Sequence, residues 1–265
     1  MAEGKTKKRK KKLAKQIGSA GRTIVIGDVH GCARELGALL DKLGPTRGDR
    51  VFMVGDLVMR GPMPNEVLRL VREVGGLSAR GNHEGRLLVW RELQARRGRK
   101  RVTPVLDPYE ERIVASKMLR ATAAELDDEG WEQLERMPLW LEVPDHELLI
   151  VHAGVVPGIR LSKQKERDLL HMRGVRKDGT PTERRDEGVL WGKRYEGPPH
   201  VVFGHNASTK PQLHRWATGL DTGCVYGGRL TALVLPEGST VPRGAKPRER
   251  LLVSVKARRT YQAIE

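Results

Sequence analysis

Polar residues of the types that bind metal ions follow five short apolar runs of this chain. In chain order they are Asp28, His30, Asp56, Asn82, His152 and His205, and each lies next to a glycine or an alanine. Small neighbours let the backbone approach closely and leave room for an ion. Two carboxylates, one amide oxygen and three imidazoles, with no thiolate, suit divalent Mn, Fe, Co, Ni or Zn better than Ca or Mg. An aspartate between two ions can bridge them at the roughly 3.5–4 Å separation that two-metal hydrolases use.

None of these motifs is specific by itself. Gly-Asp and Gly-Asn after a strand are common turn sequences, and a single histidine at a strand end is more often a hydrogen-bonded core residue than a ligand. Arg60 alone would be interpreted as a surface cation. The combination is more specific, because four of the eight histidines fall at the ends of predicted strands. We therefore interpret these residues as one metal site.

The pattern of apolar residues predicts the elements that bring these side chains together. Buried strands are indicated at 22–27, 50–55 and 76–80, and they alternate with helical patterns at 32–43, 64–74 and 84–97. This alternation predicts parallel strands joined by crossover helices. Loops at the carboxyl ends of such strands form the ligand crevice, so we expect the six side chains at one edge of the fold.

The second half of the domain is predicted to add another sheet. Four further apolar runs indicate strands that pack on the first sheet: 148–151, 200–203, 217–220 and 230–235. Residues 107–137 are predicted to be helical, with Thr122 and Glu125 as a capping box. Residues 172–199, rich in Gly, Pro and charge, are expected to form an irregular excursion over the active face.

These motifs resemble, in kind and in order, those of the calcineurin-like metallophosphoesterases. The signature of that family is GDxHG, GDxxxRG, GNHE or GNHD, a separate His, and GH. Between residues 22 and 235 this chain has GDVHG, GDLVMRG, GNHE, VHAG and FGHN. The resemblance implies an α/β fold, a four-layer αββα sandwich with two mixed central sheets flanked by helices. It also implies two divalent transition-metal ions, with Mn favoured and Fe, Zn, Co or Ni as alternatives.

The resemblance also implies a role for each position. One ion would be held by Asp28, His30 and Asp56, and the other by Asp56 as the bridging ligand with Asn82, His152 and His205. His83 is similar to the general acid of the family, and Arg60 to its phosphate clamp. Asn82 and one further arginine are expected to contact the substrate phosphate. For that arginine Arg173 is our choice and Arg194 the alternative, although either could be a solvated surface charge.

The implied reaction is metal-dependent hydrolysis of a phosphate ester or anhydride. Two cations would lower the pKa of a shared water, and the bridging hydroxide would attack phosphorus in line, without a covalent phosphoenzyme. His83 would protonate the leaving group, and Arg60 would neutralise charge on the phosphoryl oxygens.

Two positions bear on the substrate, because the motifs resemble the branch that joins Ser/Thr protein phosphatases with bacterial diadenosine tetraphosphate hydrolases. The phosphatases have an Asp that supports the catalytic His where this chain has Met59. An anhydride has an acidic leaving group and needs less help from an acid, which favours dinucleoside polyphosphates such as diadenosine tetraphosphate, nucleotide-capped RNA included. Glu84, where the tetraphosphate hydrolases usually have Asp, favours the alternative, a Ser/Thr or dual-specificity protein phosphatase.

Glu84 and the basic segments leave further interpretations open. Glu84 could hold a loop, orient His83 or be an acid favoured at a helix N-terminus. A nucleic-acid-binding protein that has lost catalysis is disfavoured, because no ligand position is lost. The basic run Arg96–Arg101 and a lysine-rich N-terminus could dock RNA or another polyanion, or serve solubility alone, since no aromatic platform accompanies them.

The positive charge is concentrated at the N-terminus. The net charge is +16 over 265 residues, and residues 1–22 carry seven Lys and two Arg against one Glu. We expect a disordered basic tail at 1–21, the catalytic domain at 22–240 and a basic extension at 241–265. Residues of the tail bury no apolar surface, so a polyanion such as RNA is the partner that their charge would attract.

The composition excludes several classes of protein. No apolar stretch approaches the ~18–20 residues of a membrane span, and the lysine-rich N-terminus lacks the apolar stretch of a secretory signal. Cys32 and Cys224 do not suggest a disulfide framework or a thiolate metal site, and we expect them to pack as small apolar residues. We therefore expect a cytoplasmic enzyme with no membrane partner.

Overall fold

The computed structural model describes residues 21–99 and 106–263. The predicted basic tail, apart from Gly21, and the end of the Arg96–Arg101 run lie outside these ranges. Within them, no helix is long and apolar enough to cross a membrane.

Two five-stranded sheets form the centre of the fold, with helices on the outside and a small third sheet. The strands are β1 (Thr23–Ile26), β2 (Arg50–Met53), β3 (Leu77–Ser78), β4 (Trp140–Val143), β5 (Leu148–Val151), β6 (Gly174–Val175), β7 (Pro181–Thr182), β8 (Val189–Leu190), β9 (His200–Phe203), β10 (Gln212–Leu213), β11 (Ala217–Gly219), β12 (Arg229–Leu235) and β13 (Leu252–Lys256). The helices are α1 (Ala33–Leu43), α2 (Pro64–Glu73), α3 (Asn82–Arg99), α4 (Pro108–Ala115), α5 (Lys117–Glu125), α6 (Asp128–Arg136), α7 (Glu166–His171) and α8 (Ala245–Glu249).

Both large sheets are mixed. Sheet A has the order β13-β12-β1-β2-β3, and sheet B has the order β10-β11-β9-β5-β4. In sheet A, β1, β2 and β3 are parallel, as the alternation of strands and helices predicted, whereas β12 is antiparallel to β1. In sheet B, β5, β9 and β11 are parallel, and β4 and β10 are antiparallel edges. The predicted fold class is confirmed.

Alternation of side chains along the strands holds the layers together. Val25 and Phe52 of sheet A belong to the core between the sheets, with Val202 of sheet B. Their neighbours Ile24 and Ile26 belong to the core under the helices, because successive residues of a strand point to opposite faces. All five are at most 3% exposed. Burial of each such side chain contributes about 1.5–3 kcal/mol to stability before entropy is counted.

The outer face of sheet B is covered by the segment that the sequence predicted to be irregular. Leu149 and Phe203 of this face share a core cluster with Leu169 of α7 and with the fully buried Trp191. Strands β6, β7 and β8 form the small third sheet within 172–199. This excursion is therefore more regular than expected, since short two-residue strands give little apolar pattern in sequence.

The predicted capping box at Thr122 and Glu125 is wrong. Thr122 lies inside α5, and this helix begins after Ser116, whose hydroxyl accepts from the N–H of Leu119. The capping box of the region is at Asp107 instead, which accepts from the N–H of Glu110 while the Glu110 side chain bonds back. A sequence match to the box pattern occurs inside helices as well as at their starts.

The segment 241–265, predicted as a basic extension, is built into the sheet where it is described. Strand β13 pairs with β12 over five residues, from Arg229↔Lys256 to Leu233↔Leu252. Arg248 of α8 is fully buried, and its guanidinium donates to backbone carbonyls such as that of Pro242 (2.8 Å). The prediction was based on the positive charge of the segment, and it did not take into account the apolar residues Leu252, Val253 and Val255 of β13.

Candidate active site

The side chains predicted to bind metal lie together at one edge of the two sheets. They follow β1, β2, β5 and β9 or begin α3 after β3, and they are Asp28, His30, Asp56, Asn82, His152 and His205. Neighbouring loops bond to each other, since the N–H of His30 donates to the carbonyl of Asp56 (2.8 Å) and that of Gly204 to His152 (2.8 Å). In the structure, these six side chains therefore lie near one another at the carboxyl ends of the strands, as expected.

The loops of this edge have an unusual backbone conformation. Among the described residues, six non-glycine residues have positive φ, and five of them belong to these loops: His30, Asp56, Met59, Arg60 and His205. Their φ values range from 48° to 71°. Such a conformation costs on the order of 1–3 kcal/mol for each residue and persists where the surroundings enforce it, which is common at active sites.

Two glycines permit the close approach of the loops. A Cβ atom added to Gly81 would lie 2.2 Å from Asp56 Oδ1, and one added to Gly204 would lie 1.9 Å from Asp28 Oδ1. Any larger residue would displace these carboxylates. This is the physical reason for glycine before Asn82 and His205.

Asp56 lies at the centre of the site. Its Oδ2 atom is 3.6 Å from His30 Nε2 and 3.4 Å from His152 Nε2. Two ligand atoms that bind the same ion at ~2.0–2.2 Å, with ordinary angles at the metal, are separated by roughly 2.8–3.6 Å, so both distances fit shared coordination. Burial raises the pKa of Asp56, but the imidazoles of His152, His83 and His30 outweigh it and hold the pKa well below its usual range. The carboxylate is therefore ionised and positioned between two groups of ligands.

Two histidines, His152 and His205, each contact a backbone carbonyl through the ring nitrogen that faces away from Asn82, and this arrangement suits a cation at the site. His152 Nδ1 faces the carbonyl of Val54 (3.1 Å) and His205 Nε2 that of His171 (3.1 Å), so each ring, when it is neutral, carries its proton on the outer nitrogen. Burial lowers the pKa of His152, but Asp56 raises it above its usual value, so in the absence of a metal ion this ring gains a second proton more readily. The inner nitrogens of the neutral rings present lone pairs to Asn82 Oδ1, at 2.8 Å for His152 and 3.2 Å for His205. Lone pairs that converge in this way repel unless a positive charge lies among them. The donor set fits a divalent metal ion.

Asp28 lies in the same site but is oriented differently. Its carboxylate accepts from the N–H of His205 at 3.0 Å, and it lies outside the two groups of donor atoms at this site that approach within 4.8 Å of one another. Those groups are His30 with Asp56 and His83, and Asp56 with His152 and His205. Burial, with the nearby charges of Asp221 and Asp56, raises the pKa of Asp28 well above its usual value.

Asp221 is a site residue that the sequence analysis did not identify. It lines the cleft and is buried, and burial raises its pKa to about 6. Its carboxylate accepts from the N–H of Gly223 at 3.0 Å. The sequence contains a signal for this residue, because Asp221 follows strand β11 and precedes Thr222-Gly223. An aspartate close to a glycine after a strand is also the pattern at Asp28 and Asp56.

His83 is held between an arginine and a methionine. Arg60 Nε donates to His83 Nε2 (3.2 Å), while His83 Nδ1 faces Met59 Sδ (3.3 Å). Since a guanidinium only donates, the neutral ring carries its proton on Nδ1, against a weak sulfur acceptor. Burial lowers the pKa of His83 well below its usual value. Arg60 also donates from Nη1 to the hydroxyl of Tyr226, another residue the sequence analysis missed.

Glu84 holds a loop. Its Oε2 accepts from the N–H groups of Asp56 (2.8 Å) and Gly81 (2.8 Å), and its Oε1 from those of Leu57 (2.9 Å) and Val58 (3.2 Å). The side chain is fully buried. Of the roles considered from sequence, the structure supports the loop anchor, because all four bonds go to backbone.

A cleft of about 450 Å³ opens over these residues, and its rim is basic. Arg60, Arg173 and Arg185 line it. Arg173 Nη1 donates to Asn206 Oδ1 (2.9 Å), and Arg185 Nη2 to the carbonyl of Ala207 (2.6 Å). Arg194, the alternative to Arg173, is exposed and does not line the cleft. Arg185 was not identified from sequence, since a third arginine in a basic loop carries no distinguishing pattern.

Comparison with known proteins agrees with this geometry. Residues 21–234 match the family model described as calcineurin-like phosphoesterase. The chain belongs to that family. It is a metal-dependent phosphohydrolase, as the fold and the ligand cluster indicate.

Particular relatives are more similar still. The bis(5'-nucleosyl)-tetraphosphatase PrpE (asymmetrical) of Halalkalibacterium halodurans is 34% identical over 257 residues, which cover 88% of this chain and 97% of that protein. The protein of the same name from Geobacillus thermodenitrificans is 34% identical over 82% of this chain and 91% of its own. A crystal structure assigned provisionally as a diadenosine tetraphosphatase superposes with a TM-score of 0.71 and 32% identity, covering 89% of this chain and 94% of that one.

Proposed function

We propose that this enzyme hydrolyses dinucleoside tetraphosphates asymmetrically, into a nucleoside triphosphate and a nucleoside monophosphate. The contact between Met59 Sδ and His83 Nδ1 carries the proposal, because no carboxylate is placed there to stabilise a charged imidazole. An anhydride departs as a weakly basic phosphate and needs little proton transfer, unlike a serine alkoxide. The printed names of the two relatives support this substrate class and the asymmetrical cleavage.

The proposal assigns two divalent ions to the site. Asp28, His30 and Asp56 would hold one ion, with Asp28 lying outside the close group of donor atoms in this structure. Asp56, Asn82, His152 and His205 would hold the other. When bound, the ions supply Lewis-acid polarisation of a phosphoryl oxygen and acidify a water. Manganese is our choice, with Fe, Zn, Co or Ni as alternatives, because the nitrogen-rich donor set suits a borderline ion.

The chain's own residues then position the polyphosphate. Arg60 and Arg173 line the cleft and contact phosphoryl oxygens, which are strong acceptors for a guanidinium. A phosphate that attracts Arg60 removes the donor from His83 Nε2. Once this nitrogen carries a proton, it can donate to the leaving-group oxygen. Asn82 lines the same cleft and, together with Arg173, is assigned to bind the substrate phosphate.

The identity of residue 84 (Glu84) does not discriminate between a dinucleoside polyphosphate and a phosphoprotein as the substrate. Sequence comparison of this position favoured a protein phosphatase, but the four backbone bonds of its carboxylate give it a loop-holding role that is independent of the leaving group.

Product analysis tests the proposal. The purified chain is incubated with Mn²⁺, Co²⁺ or Ni²⁺ and diadenosine tetraphosphate, beside a phosphoserine peptide and p-nitrophenyl phosphate. ATP plus AMP is the expected result, and chelation by EDTA should abolish it. Two ADP would keep the substrate class and overturn the asymmetrical assignment. Turnover of the peptide without cleavage of the dinucleotide would overturn the proposal and establish the phosphatase alternative.

A further inference from the structure

We propose that a second pocket, between α3, α4 and α7, binds one nucleoside end of the substrate with its base on Tyr109. The pocket has a volume of about 710 Å³, within the ~300–1,000 Å³ typical of small-molecule sites. Tyr109, Arg86 and Arg112 are among the residues that line it. This inference rests on the proposed function and deepens it, because it assigns the part of the chain that would recognise a nucleotide.

The pocket adjoins the cleft over the predicted metal ligands. Asn82 and Glu183 line both. His171 lines the pocket, and its carbonyl faces His205 Nε2 at 3.1 Å. Arg86 follows Asn82 by four residues on α3, so the two side chains lie on one face of the helix, one turn apart. A phosphate chain that leaves the cleft at Asn82 therefore meets Arg86 next.

The walls of the pocket suit an aromatic base. Tyr109 of α4 is 41% exposed, an unusual position for a large aromatic side chain. Ile113 follows it by four residues on the same helix and is fully buried. Leu170 of α7 is buried, and Val89 of α3 is half-buried. A ring between Tyr109 and these aliphatic side chains would stack on one face and be covered on the other.

The charges of the pocket suit phosphate groups. Arg167 pairs with Glu183 (2.6 Å), and Glu166 lies 3.8 Å from Arg80. Arg86 and Arg112 form no ion pair with any residue in the described ranges, and so both guanidiniums remain available. Two free arginines beside an exposed tyrosine match a nucleoside that carries phosphates better than they match an acidic peptide, which would not need a stacking surface.

Tyr109→Ala and Arg112→Gln test the inference in the full-length enzyme with Mn²⁺. Tyr109→Phe keeps the ring. Arg136→Gln, an exposed charge removed from α6, controls for loss of one positive charge at a distance. The readouts are the ratio of kcat/KM for diadenosine tetraphosphate to that for p-nitrophenyl phosphate, and the Kd of ADP by calorimetry. We expect Tyr109→Ala to lower the ratio and raise the Kd about ten-fold, since stacking on a base is worth ~1–3 kcal/mol. Tyr109→Phe should behave like the wild type.

The outcomes separate this inference from the proposed function. Cleavage of the dinucleotide with an unchanged ratio and Kd in Tyr109→Ala would overturn the pocket assignment and keep the function. Failure of the wild type to cleave the dinucleotide would overturn the function, and weaker ADP binding in Tyr109→Ala would still support the pocket. A ratio that falls equally in Arg136→Gln and Arg112→Gln would assign the effect to long-range charge and overturn the role of Arg112.

Discussion

In the proposed reaction, the role of His83 depends on which atoms surround its ring. Arg60 donates to one ring nitrogen, and the sulfur of Met59 faces the other. Neither of these two neighbours stabilises an imidazolium, and burial outweighs the favourable charge of Asp56, whose Oδ2 lies 3.9 Å from His83 Nε2. At the residue scale, this arrangement supports the proposed leaving group, which departs without a strong acid. The same scale explains Glu84, which satisfies four backbone donors and takes no part in this arrangement.

Met59→Asp should shift the enzyme towards esters with poor leaving groups. A carboxylate at this position would lie beside His83 Nδ1 and stabilise the protonated ring, and aspartate tolerates the positive φ of 68° that Met59 has. We expect kcat/KM for a phosphoserine peptide to rise about ten-fold relative to diadenosine tetraphosphate, a part of the ~10²–10⁴ available from acid catalysis. Met59→Asn, similar in shape but uncharged, is the control. A ratio that stays the same or falls would contradict the role of position 59.

Glu84→Gln should destabilise the loop after β2 and the site together. The amide NH₂ would face two backbone N–H donors in place of an acceptor, which leaves buried donors unsatisfied at ~1–3 kcal/mol each. We expect the free energy of unfolding in urea to fall by about 2 kcal/mol or more, with loss of activity. Glu111→Gln, at an exposed position on α4, is the matched control. Full stability in Glu84→Gln would show that the four bonds do not hold the loop.

At the scale of elements, each ligand is delivered by the loop after a strand, and the loops are braced by strands of both sheets. In sheet A, β13 is an edge strand and pairs with β12. Side chains on both faces of β12 are buried, so β12 is an interior strand of the sheet. An unpaired central strand would expose its backbone donors and acceptors. The C-terminal segment is thus part of the framework that positions Asp28 and His30, although it contains no ligand.

A chain that ends at residue 240 should not form a stable domain. Removal of β13 exposes one edge of β12, and removal of α8 withdraws the buried guanidinium of Arg248 from its backbone acceptors. We expect no cooperative thermal transition, or a Tm lowered by about ten degrees or more. In a domain of this size, each kcal/mol lost from the free energy of unfolding lowers Tm by ~2–4 °C, and we expect a loss of several kcal/mol. A chain that ends at residue 263 is the control. An unchanged midpoint in the shorter chain would mean that the catalytic domain ends near 240, as the sequence suggested.

At the scale of the whole molecule, buried titratable groups make stability depend on pH far from the active site. His200, at the start of β9, is buried, and its Nε2 lies 2.8 Å from Thr218 Oγ1. Thr218 Oγ1 also accepts from Arg248 Nη1 (3.1 Å), so a guanidinium lies close to the pair formed by His200 and Thr218. Burial, with the Arg248 charge, lowers the pKa of His200 to about 3.

His200→Gln should weaken the dependence of stability on pH below neutrality. An unfolded histidine has a pKa of ~6.5, so between pH 6.5 and 3 the unfolded chain binds a proton that the folded chain does not. Folding stability then decreases as pH falls, by up to ~1.4 kcal/mol per pH unit for this one group. We expect the urea-unfolding curves of wild type and variant to converge between pH 6.5 and 4.5 and to keep a constant separation above pH 7.5. A constant separation at every pH would contradict the assignment to His200.

The alternation of apolar strands and helices predicted the parallel strands, and the resemblance of the motifs implied the four-layer fold class. The polar residues at strand ends were predicted to converge, because parallel strands bring their carboxyl ends together. Other features depend on directions in space between residues distant in sequence. They include the tautomers of His152 and His205, the bonds of Glu84, the inclusion of β13 in sheet A and the pocket at Tyr109. Only the tertiary structure decided these, because no local pattern records which backbone atom or neighbouring helix a side chain will meet.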